Sequence, residues 1–197
     1  RARIRQALQP LAGSDWYRLD VEMDLSEEIE DLPRVGLRFE LPGAFEYLAW
    51  YGRGPVESYP DRANGARLGR HESTVTGQYV PYIVPQEHGG HSDTRLVTLS
   101  TSAGAAGGGA RDPQAGRFEL AAAAGELFHF SALHSAPEDL DSLSHTWQIE
   151  PRRETILIVD LFHRGIGTAA CGPDCDLRYT LRGGRRLFRR TFQQEAA

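Results

Sequence analysis

Three segments concentrate the residue types that do chemistry. The first, Trp50–Arg62, reads WYGRGPVESYPDR: an aromatic strand end runs into a glycine-rich turn that sets out Glu57, Tyr59, Asp61 and Arg62. Aromatic rings beside carboxylates and an arginine suit a sugar, whose hydroxyls want bidentate acceptors and whose C–H faces want a π surface. The same residues also suit an Arg–carboxylate pair that fixes a turn. The second segment, Tyr79–Leu96, carries Glu87, His88, His91, Asp93 and Arg95 around Gly89 and Gly90, after two prolines that hold the backbone extended. Glu87 with a neighbouring histidine has the composition of an acid–base pair acting on a sugar ring oxygen, and equally that of polar turn contacts. His88 and His91 form an H-x-x-H pair with no placed carboxylate, too little for a metal site. The third segment, Asp160–Pro173, ends an apolar strand at His163 and Arg164 and passes through Gly165-Ile166-Gly167 to Cys171.

Several other chemistries are excluded. The Gly-Ile-Gly turn lacks the third glycine and the following helix of a dinucleotide site, and no lysine is present for a phosphate loop. All 22 basic residues are arginines, yet the net charge is −5, the wrong sign for nucleic-acid binding driven by phosphate neutralisation. The densest basic run, Arg185, Arg186, Arg189 and Arg190, is interrupted by Leu187 and Phe188 and reads as an edge strand with a solvated face. Cys171 and Cys175 form neither a disulfide framework nor a four-ligand zinc pattern, so reduced thiols in the cytoplasm are expected. No apolar run reaches the ~20 residues of a membrane span. The basic start has neither the apolar core nor the cleavage site of a secretory signal. With no initiator Met, it reads as a processed or excised piece.

The elements that must position these segments are strands. Tyr17, Leu19, Val21, Met23 and Leu25 alternate with polar residues, as do Val35, Leu37, Phe39 and Leu41; period two marks strands with one buried face. The polar stretch between them, ending in Pro33, predicts a hairpin. Further strands are expected at 45–51 (stopped by Gly52 and Gly54), 94–100, 117–120, 127–133, 155–162, 177–181 and 187–192. The run TILIVDLF at 155–162 is nearly continuous in apolar residues, so it is expected to be a central strand covered on both faces. One short helix is expected from Pro137 to about His145. Residues 101–116, rich in Gly and Ala, read as a mobile loop, with a domain linker as the rival. At 197 residues the chain suits one well-buried domain spanning 1–197. Many strands with one short helix make it all-β, an antiparallel sandwich.

In order, the three segments resemble the C-terminal domain of the large family-two β-galactosidases, the group that includes the lactose-operon enzyme. The pattern W-x-G-x-G-P-x-E-x-Y-x-D-R stands at Trp50–Arg62. Y-x-P-Y-x-x-P-x-E-x-G stands at Tyr79–Gly89, followed by Thr94–Arg95, and D-x-x-x-x-G-I-G stands at Asp160–Gly167. His145 fits the family's histidine-containing turn, and the likeness covers about residues 15–195. It implies a galactose-mutarotase-like β-supersandwich, here without its first strands, that packs on a catalytic barrel or large subunit. Its late loop reaches the active-site rim. The resemblance also implies retaining hydrolysis of terminal β-D-galactosides by two glutamates on that barrel, about 5–5.5 Å apart. Mg²⁺ and Na⁺ lie beside them in a homo-oligomeric parent. No cofactor, metal or catalytic residue is expected within this chain, which alone is expected to be inactive.

The rim or sugar-binding candidates are Trp50, Glu57, Tyr59, Asp61, Arg62, Glu87, His88, His91, Arg95 and Cys171. Three departures matter. Cys171 or Gly172 stands where some relatives carry a tryptophan platform, His88 replaces a more usual asparagine, and His91 a more usual arginine. The alternative is a free-standing sugar-binding module or aldose mutarotase using Glu87 with a histidine.

Overall fold

The computed structural model describes residues 2–104, 106, 115–167 and 172–195, with the backbone alone at 187–189, 194 and 195. Eleven strands are present among them: β1 (Ala2–Pro10), β2 (Trp16–Leu25), β3 (Arg34–Leu41), β4 (Tyr47–Gly54), β5 (Arg67–Thr74), β6 (His91–Thr94), β7 (Leu96–Ser100), β8 (Arg117–Ala122), β9 (Phe128–Leu133), β10 (Thr155–His163) and β11 (Gly184–Glu195). They form an antiparallel sandwich of a seven-stranded sheet, ordered β1-β2-β11-β8-β7-β4-β5, and a four-stranded sheet, ordered β3-β10-β9-β6. One short helix, α1 (Pro137–Leu140), accompanies them. No helix among the described residues is long and apolar enough to cross a membrane.

The main core lies between the sheets. Leu48 and Trp50 of β4, Val97 and Leu99 of β7, and Phe118 and Leu120 of β8 meet Phe128, Phe130 and Ala132 of β9 and Leu157 and Val159 of β10. A second cluster joins Val21 and Met23 of β2 to Val35 of β3. Strand β10 is interior, between β3 and β9, and buried on both faces from Thr155 to Asp160. Its alternate residues Ile156 and Ile158 pack with Ala136 on the side away from the main core.

Several sequence expectations are corrected. β2 and β3 do not form a hairpin: they lie in different sheets, and β2 pairs with β1 and β11 instead. β4 is not stopped by Gly52 but runs on to Gly54. A side chain at Gly52 would stand 2.5 Å from Thr94 Oγ1, so its absence lets β6 press against β4.

The expected strand at 94–100 is split at a corner. Asp93 takes a left-handed φ of 53°, its carboxylate accepts from Arg53 Nε at 2.5 Å, and the chain passes from one sheet to the other. Residues 177–179 form a 3-10 turn rather than a strand. α1 ends at Leu140, with a second 3-10 turn at Thr146–Gln148.

The arginine-rich strand is not an edge. β11 lies between β2 and β8, and Arg190 is fully buried, bonded to the Glu126 carboxylate and to the Leu127 carbonyl at 3.1 Å. The edge on that side of the sheet is β1, exposed along its whole length.

Candidate functional site

Tracing each hydrogen-bond acceptor brings the three sequence segments to one place. Glu57 is the first hub. Its Oε2 accepts the Gly89 N–H at 2.8 Å, and its Oε1 takes both Arg62 and the Tyr82 hydroxyl. Ser58 binds the second segment through its backbone N–H, which donates to the Gly90 carbonyl at 2.7 Å. Its hydroxyl oxygen accepts the Ser92 N–H at 2.9 Å.

Tyr59 is completely buried. Its phenolic oxygen accepts the Gly90 N–H at 3.2 Å, and its O–H reaches Glu87 at 3.4 Å. Burial, then the charges of Glu87 and Glu57, hold the phenol well above its usual range. Arg62 lies over the Tyr59 ring at 5.4 Å.

Asp61 joins the first segment to the third. Oδ1 accepts the Ile166 N–H at 3.1 Å and Oδ2 the Gly167 N–H at 2.7 Å. The glycines there answer to two close approaches. A Cβ at Gly165 would meet the Asp61 carboxylate at 2.7 Å, and one at Gly167, where φ is +57°, would meet Cys175 N at 2.5 Å. Arg164 extends the clasp to Asp174 at 2.8 Å and Asp31 at 3.3 Å. The chain entering and leaving the late loop is thus held from both sides. Cys171 itself lies outside the described residues.

Beneath these turns, on the face of the four-stranded sheet away from the main core, is a buried polar row. The sheet register places Gly36, Asp160 and His129 side by side across β3, β10 and β9. Missing side chains make the space: a Cβ at Gly36 would lie 2.5 Å from Asp160 Oδ1, and one at Gly90 would lie 2.5 Å from the His129 ring. Arg34 bonds Glu87, donates toward His163 Nε2 at 3.1 Å, and lies 3.6 Å from Asp160. Glu87 and His163 are 3.9 Å apart, and the His129 and His163 rings are 4.4 Å apart. Burial raises the Asp160 carboxyl to about 7 against the pull of Arg34, and raises Glu87 too. It lowers His163 to about 4 and His129 well below its usual value, so both imidazoles are neutral at pH 7.

Of the remaining candidates, Trp50 and His91 lie in the interior, while His88 borders a cleft and Arg95 an exposed ring. Trp50 is buried, its indole N–H donates to the Arg53 carbonyl at 2.8 Å, and its ring packs on His91 at 4.3 Å and His71 at 5.2 Å. His91 is buried, with its ring nitrogens 3.2 Å from the Arg53 carbonyl and 2.5 Å from the Gln78 side chain; burial drops its pKa to about 4 against the pull of the Arg53 contact. His88 Nδ1 lies 2.8 Å from the Gln86 carbonyl, beside a half-open cleft of about 320 Å³ lined by Val75, Tyr79, Leu133 and Ile149. Arg95 lies over the exposed Tyr51 ring at 5.4 Å.

Sequence reasoning missed Arg34, His129, Asp160 as a buried group, and His163 as the partner of Glu87. One signal was legible: an aspartate inside the apolar run TILIVDLF, where a buried carboxylate demands partners.

The comparisons with known proteins agree with this convergence. The sequence model of the family described as "Beta galactosidase small chain" matches residues 12–192. Proteins named Beta-galactosidase are similar to this chain. That of Staphylococcus xylosus is 32% identical over 83% of this chain and 15% of its own length. That of Arthrobacter sp. (strain B7) is 31% identical over 87% and 16%, and that of Vibrio cholerae 35% identical over 79% and 13%. The chain therefore spans about a seventh of the length of these relatives. Interlocked motifs, two antiparallel sheets and this match lead to one assignment: the chain belongs to the family described as "Beta galactosidase small chain".

Proposed function

We propose that this domain completes the active-site rim of a retaining β-galactosidase acting on terminal β-D-galactosides, and supports that enzyme's assembly. The catalytic carboxylates, with any Mg²⁺ and Na⁺, belong to residues outside this chain, in a cytoplasmic homo-oligomer. The observation that carries the reading is the Asp61 clasp on Ile166 and Gly167. A loop that meets substrate must be held by a rigid base, and Asp61 anchors the near end of this one while Arg164 and Asp174 tie the far end to it. Val56, adjacent to Glu57 in the chain, and Ile83 and Val84, after the Tyr82 that bonds Glu57, are exposed apolar residues, with Ile83 91% exposed. We take them as candidates for burial against the catalytic domain.

Catalysis gains from such a domain by positioning. A rim that fixes the sugar's orientation converts binding energy into a productive geometry, with no bond made or broken by the domain itself. The reading is tested with the isolated chain and with a chimera in which it replaces the corresponding segment of the S. xylosus protein. The chain alone is expected to leave nitrophenyl β-galactoside intact, while the chimera hydrolyses it. Inactivity of a folded, correctly assembled chimera would contradict the reading. So would acceleration of galactose mutarotation by the isolated chain, abolished by Glu87→Gln, which would establish the free-standing alternative.

A further inference from the structure

The buried row beneath the turns contains more than polar packing requires. Glu87, His129 and His163 each turn one ligand-type atom into a common space, and these atoms all lie within 4.8 Å of one another. The tautomers are set by what the other ring nitrogens touch. His163 Nδ1 lies 2.6 Å from the Arg164 carbonyl and must donate to it, leaving Nε2 a lone pair. His129 Nδ1 lies 3.2 Å from Ser92 Oγ, whose own proton goes to the Ser58 carbonyl at 3.0 Å, so this nitrogen too is the donor. Both Nε2 lone pairs are thereby aimed into the cluster. An imidazole whose far N–H is fixed by an oxygen acceptor is the usual outer support of a metal ligand.

Three atoms of two side chains are left over. His129 Nε2 is buried with no hydrogen-bond partner, and both oxygens of fully buried Asp160 are likewise without one. Orphaned buried polar groups are costly and call for an explanation.

We propose that Glu87, His129 and His163 form a binding site for a zinc-class divalent cation, with Nε2 of each imidazole and one Glu87 oxygen as ligands. Two nitrogens and a carboxylate oxygen match the ligand preference of zinc and its borderline neighbours rather than of Mg²⁺ or Ca²⁺. Around a tetrahedral ion with bonds of about 2.0–2.2 Å, ligand atoms lie about 3.4 Å apart. The 3.9 Å between Glu87 and His163 must therefore close by about half an ångström. Any pair at the 4.8 Å limit of the cluster must close by about an ångström or more. Arg34, which holds Glu87 and His163 in the metal-free chain, must move aside. Asp160, 3.6 Å from its guanidinium, supplies the place it moves to. One event then satisfies His129 Nε2 and Asp160 together. The ion would cross-link β9, β10 and the turn after Pro85, stiffening the floor under the Asp61 clasp.

The test uses the untagged chain, stripped with chelator and titrated with Co²⁺ and Zn²⁺ alone. One equivalent of Co²⁺ should give the intense visible bands of a low-coordinate site, and Zn²⁺ should displace it. The nitrogen resonances of His129 Nε2 and His163 Nε2 should shift while their Nδ1 resonances stay protonated. Glu87→Gln, a change at a half-buried position that keeps the side chain's shape, should weaken binding about 10- to 100-fold. Arg34→Met, which removes the competing cation, should tighten it. Absence of a stoichiometric Co²⁺ complex would overturn the proposal. Binding unchanged by Glu87→Gln in a chain whose circular dichroism is native would overturn it equally.

Discussion

Asp61 accepts the backbone N–H of Gly167 at 2.7 Å across 106 positions of the chain. With its second oxygen on Ile166, one carboxylate ties the end of the first motif to the end of the last. The spacing of the two motifs is therefore a single structural fact: the P-D-R turn needs the G-I-G turn to receive it, and the glycines there are small because Asp61 and Cys175 stand where side chains would be.

Asp61→Ala leaves two backbone donors without their acceptor, which costs about 1–3 kcal/mol. The loss is local. Amide exchange at Ile166 and Gly167 should accelerate while amides in β9 and β10 keep their protection. Uniform acceleration through both sheets would show that Asp61 is instead part of the global core.

Gly36→Ala and Gly90→Ala should each destabilise the fold by about 1–3 kcal/mol, the usual cost of forcing a methyl into filled space. Their Cβ atoms would stand 2.5 Å from Asp160 Oδ1 and from the His129 ring. Gly65→Ala is the control, since nothing lies within 4 Å of its Cβ. Denaturant midpoints of the three variants settle the comparison.

Stability should fall as pH drops from about 6.5 toward 4. His91 and His163 have folded pKa values of about 4 against 6.5 in the unfolded chain, and His129 is also lowered. Unfolding therefore takes up protons in this window, and the neutral imidazoles' contribution is full above 6.5 and lost on acidification. Each shift to 4 is worth up to about 3 kcal/mol. Asp160, about 7 folded against 3.8 unfolded, has the opposite sign, as does Glu87 with its raised carboxyl. Their contribution is full at low pH and lost as pH rises. Three imidazoles outweigh two carboxylates, so the net slope follows the histidines. Asp160→Asn removes part of the opposition and should steepen the acid loss in urea titrations. A flat profile in both proteins would contradict the assignment.

Glu126→Ala strips the counter-charge from a guanidinium that has no exposed surface. Removing one partner of a buried ionic hydrogen bond costs about 1–3 kcal/mol, kept to this range because Glu126 itself is partly solvated. Thermal unfolding should show the loss, and Arg190→Met should recover part of it in the double variant by removing the buried charge that Glu126 had offset.

The alternation of apolar residues made β2, β3, β9 and β10 legible, because each buries one face or both against the core. β1 and β5 escaped for the converse reason. They are edge strands, largely exposed, and ARIRQALQP and RLGRHEST carry no apolar period. Pairing between sheets was also hidden: nothing local in SEEIEDLP says that β2 and β3 part company. Within the site, Glu57, Tyr59, Asp61 and Glu87 stood out as polar residues in glycine-rich turns. Arg34, His129 and Asp160 did not, since their roles depend on the register of β3, β10 and β9, a long-range property. Trp50 and His91 have the residue types of a sugar platform, but the sandwich folds them inward beneath the Gly52–Thr94 contact.

The most direct measurement is the kcat/KM for nitrophenyl β-galactoside of the complete enzyme carrying Asp61→Ala, with sedimentation velocity on the same sample. A rim held by the Asp61 clasp predicts a fall of about 10- to 100-fold, the cost of misplacing a positioning group by about an ångström, in an enzyme whose assembly is intact. An unchanged kcat/KM in that intact assembly would contradict the account, leaving this domain a scaffold with no part in shaping the site.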